Sequence, residues 1–311
     1  MAQRIAERIA NRLKLRQLRL LIAVGRHGNI QNAAREMNVS QPAATKMIQD
    51  LELDFAVQLF TRTNRGVIAT PAGEVLIRHC KLIFAQIANA AEELDDLSEG
   101  NSGRIVVGTL LAASSHLLPK AIETMLTTRP GVALRVVEGT NEMLMPALRN
   151  GEIDMVVGRL PSQRHRQELE QIVLFEEHIL AVVGPGHPLA RRADLTFSDL
   201  EAFGWILPPA QTTLRRQIDQ FFVGQDLYVP PMMVESISYL TNRTLIQNNE
   251  LIGFMPAHVA EQDVALGLLA ALSWKVPFGT GPVGVTVREK DNLSPAADGF
   301  LTALRQVANA I

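Results

Sequence analysis

Gln41, Thr45 and Gln49 recur every fourth residue, with Pro42 and Lys46 beside them. That spacing stacks side chains on one face of a helix. Their shared chemistry is hydrogen bonding to the edges of nucleobases: Gln pairs bidentately with adenine, Thr bonds a base or touches a thymine methyl, and Lys reaches guanine or a phosphate. Each of these residues alone reads as a solvated helix face; it is their arrangement that points to a nucleic-acid groove. Ser40 just ahead, Gln31 and Arg35 on the segment before, and Arg62 and Arg65 further along complete the candidate DNA contacts. Spacings suited to catalysis are missing. The seven histidines (His27, His79, His116, His165, His178, His187 and His258) show no HExxH or other paired ligand pattern. The chain also has no G-x-S-x-G elbow, no P-loop and no GxGxxG after a strand, so no enzyme, metal or cofactor is expected. His187, in GPGHPL, reads as a surface turn residue, and the lone Cys80, in an apolar helical stretch, as a buried small side chain.

The elements that position these groups can be read locally. Leu15, Leu18, Ile22 and Gly25 form the apolar stripe of a first helix, which Gly28 can end in the left-handed conformation. Asn29 can cap a short second helix packed through Ile30, Ala33, Ala34 and Met37. After a brief turn, Ser40 can cap a third helix, from Gln41 to Leu53, with Pro42 in its first turn and Ala44, Met47, Ile48 and Leu51 inward. Two short helices joined by a tight turn, the second polar outward, match the helix-turn-helix that lays its second helix in the major groove. Thr63-Asn64-Arg65-Gly66 turns a small basic hairpin, a wing for phosphates or the minor groove. From Pro71 to Leu97 the pattern is one helix of roughly 40 Å, whose stripe needs a second copy to cover it, so at least a dimer is expected.

Composition agrees with a multidomain, soluble chain. Its 311 residues exceed what one core usually supports, and no apolar run is long enough to span a membrane. Residues 1–81 hold 13 of the 30 Lys and Arg but only 6 of the 32 Asp and Glu, a basic module tethered to an acidic one. The opening MAQRIAERIANRLK has no apolar segment after its arginines, and its Glu7 argues against a transit peptide, so a cytoplasmic location is expected. Arg4, Arg8 and Arg12 share a stripe opposite Ile5, Ile9 and Leu13, the pattern of an amphipathic extension.

The stretch NAAREMNVSQPAATKMIQDLELDFAVQLFTRTNRGVIATPAGEVLI resembles the signature of LysR-type transcriptional regulators: AA, then SQPA, I..LE, LF.R and T.AG in order. Asp54-Phe55 departs from the Leu-Gly turn of many members, and residues 1–14 extend ahead of the usual start. The resemblance implies a winged helix-turn-helix over 15–72, a linker helix over 73–99 and an effector-binding domain over 104–311. That domain is expected to resemble type 2 periplasmic binding proteins, with lobe I at about 104–181 and 283–311 and lobe II at about 182–282. The fold class is then multidomain α+β, the assembly a homodimer or homotetramer, and the function regulation of transcription at double-stranded DNA by a small molecule.

The residues beyond the Ser98–Gly103 break support two α/β lobes. Strand Arg104–Ala112, helix Leu117–Leu126, strand Ala133–Glu138, helix Glu142–Arg149 and strand Ile153–Gly158 alternate as in a parallel sheet. The pattern resumes with Leu180–Val183, Trp205–Leu207, helix Leu214–Val223, a strand near Met232–Val234, helix Ile237–Gln247 and LIGFMP, and closes with strand Gly284–Glu289 and helix Pro295–Asn309. A cleft at the carboxyl ends of such strands places Asn141, Thr212, Thr213 and Ser236 among the contacts. Family similarity adds Ala112, Ser114, Thr140 and Arg159. Helix N-termini favour an anionic group, and Arg159 can grip a carboxylate bidentately.

Overall fold

The computed structural model describes residues 12–99, 103–161, 168–225, 232–279, 281–289 and 293–310. Most of the amphipathic N-terminal stripe and the centre of the Ser98–Gly103 break therefore lie outside the described residues.

In the N-terminal unit, α1 (Leu15–His27) ends at Gly28, φ 59°, whose N–H donates to the Val24 carbonyl. The Asn29 side chain accepts from the N–H groups of Gln31 and Asn32 at the start of α2 (Ile30–Glu36). Ser40 accepts from Ala43 N–H at the start of α3 (Gln41–Phe55). Between them Asn38 takes φ 52°, a left-handed turn that Asn tolerates better than most residues. Ala33, Ala34 and Ala44 are fully buried, so the two helices approach as closely as their small inner faces allow.

Two local expectations need correcting. Leu15 is 52% exposed, and the buried side of α1 is instead Leu18, Leu20, Leu21, Ala23 and Val24, because the helix is covered on more than one side. At Gly25 an added Cβ would stand 2.6 Å from Ile77, on the long helix that follows. The third helix also runs to Phe55, two residues beyond Leu53, and closes with Ala56 at φ 54°.

The wing is β1 (Phe60–Thr63) paired antiparallel with β2 (Gly66–Ala69). Its turn packs on the end of α1: Val67 N–H donates to the Gly28 carbonyl, and a Cβ on Gly66, φ 141°, would lie 2.2 Å from that oxygen. Only glycine fits there. Thr70 begins α4 (Pro71–Glu99), accepting from Gly73 N–H and donating to the Gln58 carbonyl. Cys80 is buried in the helix-turn-helix core, and burial pushes its thiol up to about 11. A thiol so rarely ionised is a packing group.

In the second unit, the first sheet runs in the order β4 (Val132–Glu138), β3 (Gly103–Thr109), β5 (Met155–Arg159), β12 (Gly281–Arg288), β6 (Leu169–Glu177). The second runs β11 (Ala270–Ala271), β7 (Ile179–Val183), β10 (Leu251–Pro256), β8 (Gly204–Leu207), β9 (Met232–Glu235). The chain crosses from the first sheet to the second between β6 and β7 and returns between β11 and β12. Both sheets are mixed rather than parallel: β12 is antiparallel to β5 and β6, and β10 is antiparallel to β7.

Strand β3 also stops at Thr109, three residues short of the expected end, and the chain turns into the single-turn α5 (Leu111–Ser114). Helices α6 (Leu117–Thr128) and α12 (Pro295–Ala308) share a core with the first sheet, through residues such as Leu117, Met125, Phe300 and Leu304. A separate cluster on this sheet gathers α7 (Asn141–Arg149) through Leu144, Met145 and Leu148. The second sheet has an aromatic core, with Trp205, Phe222, Phe254 and Phe278 in contact and Phe222 supplied by α9 (Thr213–Gly224). Its other cluster includes Ile246 of α10 (Tyr239–Asn248) and Ala260 of α11 (Ala257–Ala265). Among the described residues no helix is long and apolar enough to cross a membrane.

Candidate functional site

On α3 the inward positions Ala44, Ile48 and Leu51 are buried, while Gln41, Pro42, Lys46 and Gln49 are exposed and Thr45 is half-buried. Gln31 and Arg35 are exposed on α2, as are Arg62 on β1 and Arg65 in the wing turn. Ser40 is exposed as well, with its hydroxyl oxygen engaged in capping α3. The structure thus presents a polar helix face and a basic hairpin within one unit. One residue that sequence reasoning did not single out holds this arrangement. Glu52, on the last turns of α3, accepts from the N–H groups of Leu59 at 2.8 Å and Phe60 at 3.3 Å, and so ties the root of the wing to α3.

The second site is a cavity of about 140 Å³ at the carboxyl ends of β3, β4, β5, β8, β9 and β10. Strand ends from both sheets converge there, as expected for a ligand crevice in α/β folds. Ala112, Thr140, Asn141, Arg159, Thr212, Thr213 and Ser236 all line it. Ser114 does not. Because β3 ends early, Ser114 falls at the end of α5, where its hydroxyl donates to the Leu111 carbonyl. Sequence reasoning missed the apolar share of the lining, including Ile206, Phe254 and Met255, and it missed Asn242. These residues come from strand interiors and a helix face, and no local signal marks them.

Several polar groups around the cavity are already engaged. The Thr212 hydroxyl donates to the Pro209 carbonyl and accepts from Arg215 N–H at the start of α9, and Ser236 accepts from Ser238 N–H. Others are not. Asn141 Oδ1 and Asn242 Oδ1 are buried without a hydrogen-bond partner among the described residues. So are both terminal nitrogens of Arg159, a residue only 8% exposed. Burial pulls the Arg159 pKa below its ordinary value, against the opposing charges of Glu177 and Glu176. A guanidinium is always charged in a protein, and burying it without acceptors is costly.

His187 corrects the expectation of a surface turn: it is 6% exposed, its ring lies 4.5 Å from that of Phe203, and its Nδ1 accepts from Leu189 N–H. Burial lowers its pKa below the ordinary histidine value, with Glu250 opposing. The unfolded chain then binds the proton first, so stability should fall as pH drops below about 6.5 and level off once the folded-state pKa is passed. His258 is opposite in sign. Burial lowers its pKa, but hydrogen bonding and charge attraction from Glu177 outweigh this and leave it raised. Its contribution is full below about 6.5 and is lost as pH rises through its folded value. Thermal melts from pH 8 to pH 5 should show a smaller acid-side loss for His187→Gln than for the unsubstituted protein; equal losses would mean that His187 is not the proton acceptor.

A family model described as a bacterial regulatory helix-turn-helix protein of the lysR family matches residues 15–74, and one described as the LysR substrate binding domain matches residues 98–309. The HTH-type transcriptional regulator GbpR of Azospirillum brasilense is 32% identical over 299 residues, 96% of this chain and 87% of GbpR. The HTH-type transcriptional regulator PcaQ of Agrobacterium fabrum is 29% identical over 303 residues, 97% of each chain. Among solved structures, full-length OxyR from Pseudomonas aeruginosa superimposes with a TM-score of 0.67 at 22% identity, covering 96% of this chain and 97% of that one, a likeness of fold.

Proposed function

The chain belongs to the LysR family of transcriptional regulators, and from that membership we propose that the effector it senses is a small carboxylate seated on Arg159. As a member it is a DNA-binding regulator with a helix-turn-helix and an effector-binding domain, not an enzyme. The observation that carries the effector assignment is the buried guanidinium whose two terminal nitrogens find no acceptor among the described residues at the cavity wall. Planar, bidentate geometry makes a carboxylate the natural complement of such a group. The predominantly apolar remainder of the lining suits a hydrocarbon body more than a polyhydroxylated one.

Within this reading Gln41, Thr45, Lys46 and Gln49 meet base edges, with Gln31, Arg35, Ser40 and Pro42 beside them. Arg62 and Arg65 follow the backbone. On α4 the apolar residues Val75, Ile83, Ile87 and Leu94 are exposed and fall within roughly a third of the helix circumference at about 100° per residue. A second copy of the same helix would bury them, giving the two-fold symmetry with which such proteins read paired half-sites. The working location is the cytoplasm, where the DNA is.

The test is a thermal-shift screen of the full-length protein against carboxylates, their amides and neutral sugars, since a ligand that prefers the folded state raises the melting temperature. Carboxylates should stabilise the protein where their amides do not. Arg159→Gln should weaken that binding by roughly tenfold or more, the loss of a charge-assisted pair. Stabilisation by sugars alone, or by carboxylates equally in the variant, would remove Arg159 from the seat.

A further inference from the structure

Beside the cavity, at the first crossing between the two sheets, three charged or chargeable side chains are brought together from distant parts of the chain. Arg159 ends β5, Glu177 ends β6 and is 3% exposed, and His258 lies in the first turn of α11. Strand β12 runs between the first two, with Val283 opposite both Arg159 and Phe175 and Gly281 opposite Glu177. A Cβ at Gly281 would come within 3.2 Å of Arg159 Nη1, so the guanidinium lies against β12 where that strand carries no side chain.

Glu177 Oε1 is 2.5 Å from His258 Nδ1. Its other oxygen, Oε2, is buried without a partner among the described residues, as are Arg159 Nη1 and Nη2. A buried carboxylate and a buried guanidinium that feel each other's charge would normally pair. Here one oxygen of the carboxylate is held by the imidazole instead. The imidazole is fixed in turn: its ring meets Phe175 edge-on at 6.1 Å, and Ala257 N–H, one residue earlier, donates to the His178 carbonyl at 2.9 Å.

We propose that His258 is a positioning residue for effector binding, which holds Glu177 off Arg159 and so keeps the guanidinium open to a carboxylate in the cavity. This rests on Arg159 being the anion seat. Without the imidazole, Glu177 swings to Arg159 and satisfies it internally, and an incoming anion must then displace a buried carboxylate. The hold is strongest when the ring is protonated, because a charged donor makes the stronger bond. Burial, which leaves Nε2 without a partner among the described residues, opposes the proton on His258, while Glu177 from β6, the Ala112 carbonyl from α5 and Glu261 on its own helix favour it. On its far side Glu177 faces Arg159, which Glu176 also approaches. Anion affinity should therefore decline as pH rises through the titration of His258, a dependence that a lone arginine would not show.

The test uses the full-length protein with benzoate as probe and benzamide as its neutral counterpart. His258→Leu should weaken benzoate binding by roughly tenfold, the equivalent of one pKa unit of lost differential interaction. Adding Glu177→Gln should restore it, since glutamine carries no charge to neutralise Arg159, and His258→Asn, whose amide can stand in for Nδ1–H, should retain most of it. The decline as pH rises through the titration of His258 should vanish in the His258→Leu, Glu177→Gln double variant. Unchanged binding in His258→Leu, or a loss that Glu177→Gln does not reverse, overturns the proposal while leaving Arg159 as the seat. If benzoate fails to bind the unsubstituted protein, the seat itself is in question, and a ligand-free measurement decides the positioning role. Followed by NMR, the His258 pKa should rise in Arg159→Gln and fall in Glu177→Gln; no change in either variant refutes the coupling.

Discussion

Glu52→Ala should destabilise the DNA-binding unit by about 3 kcal/mol, the loss of two hydrogen bonds to a charged acceptor. The N–H groups of Leu59 and Phe60, both on buried residues, point at one carboxylate oxygen. Removing the side chain leaves two donors to be satisfied at the root of the wing, so β1 and β2 should fray before α1–α3 do. Hydrogen exchange at Thr61–Ala69 is the measurement, because it reads local opening where a global melt would average over separate units. Protection should fall there first, and DNA affinity with it. Glu52→Gln keeps an acceptor oxygen and should cost about 1 kcal/mol, the worth of neutral hydrogen bonds. Equal protection in all three proteins would mean that the wing is held by its packing on Gly28 alone.

Replacing both Arg62 and Arg65 with Ala should weaken binding to every DNA sequence and lower the slope of log affinity against log salt by about 2, since each phosphate contact releases roughly 0.9 of a counterion. Gln41→Ala should do something different in kind. It should leave the salt slope unaltered and cost about 1–3 kcal/mol at an operator while sparing non-specific DNA, because a bidentate base contact discriminates rather than attracts. Titrations at several salt concentrations on operator and random duplexes separate the two. If the double arginine variant altered preference among operators at constant total affinity, the wing would be reading bases, and the division of labour would be reversed.

The parts of this protein that could be read from its residues are those whose causes lie within a few positions of their effects. Gly28, Asn29 and Ser40 mark helix ends because the bonds they make reach only two to four residues away. What was hidden depends on distant partners. Strand β6, LEQIVLFEE, lacks clean alternation and exists because β12, more than a hundred positions on, supplies its ladder. Helix α11 follows directly on Pro256, which reads as the end of a strand, and it is held by packing against the second sheet. The strand expected to reach Ala112 ends at Thr109, which leaves Ser114 at the end of α5 and away from the cavity; nothing local marks that end, because Leu110, Leu111, Ala112 and Ala113 are as apolar as the strand they follow. Glu177 and His258, like His187 against Phe203, are pairs that only the folded chain brings together.

The tight inner faces of α2 and α3 also bear on how such a protein can change over generations. Ala33, Ala34 and Ala44 leave no room for a larger side chain, and enlarging any of them costs about 1–3 kcal/mol, a large part of a small unit's margin. Gln41, Lys46 and Gln49 are exposed and carry none of that packing. Variation is thereby channelled outward. On the proposed assignment of that face to base reading, single substitutions there change the operator preference without disturbing the packing of α2 on α3.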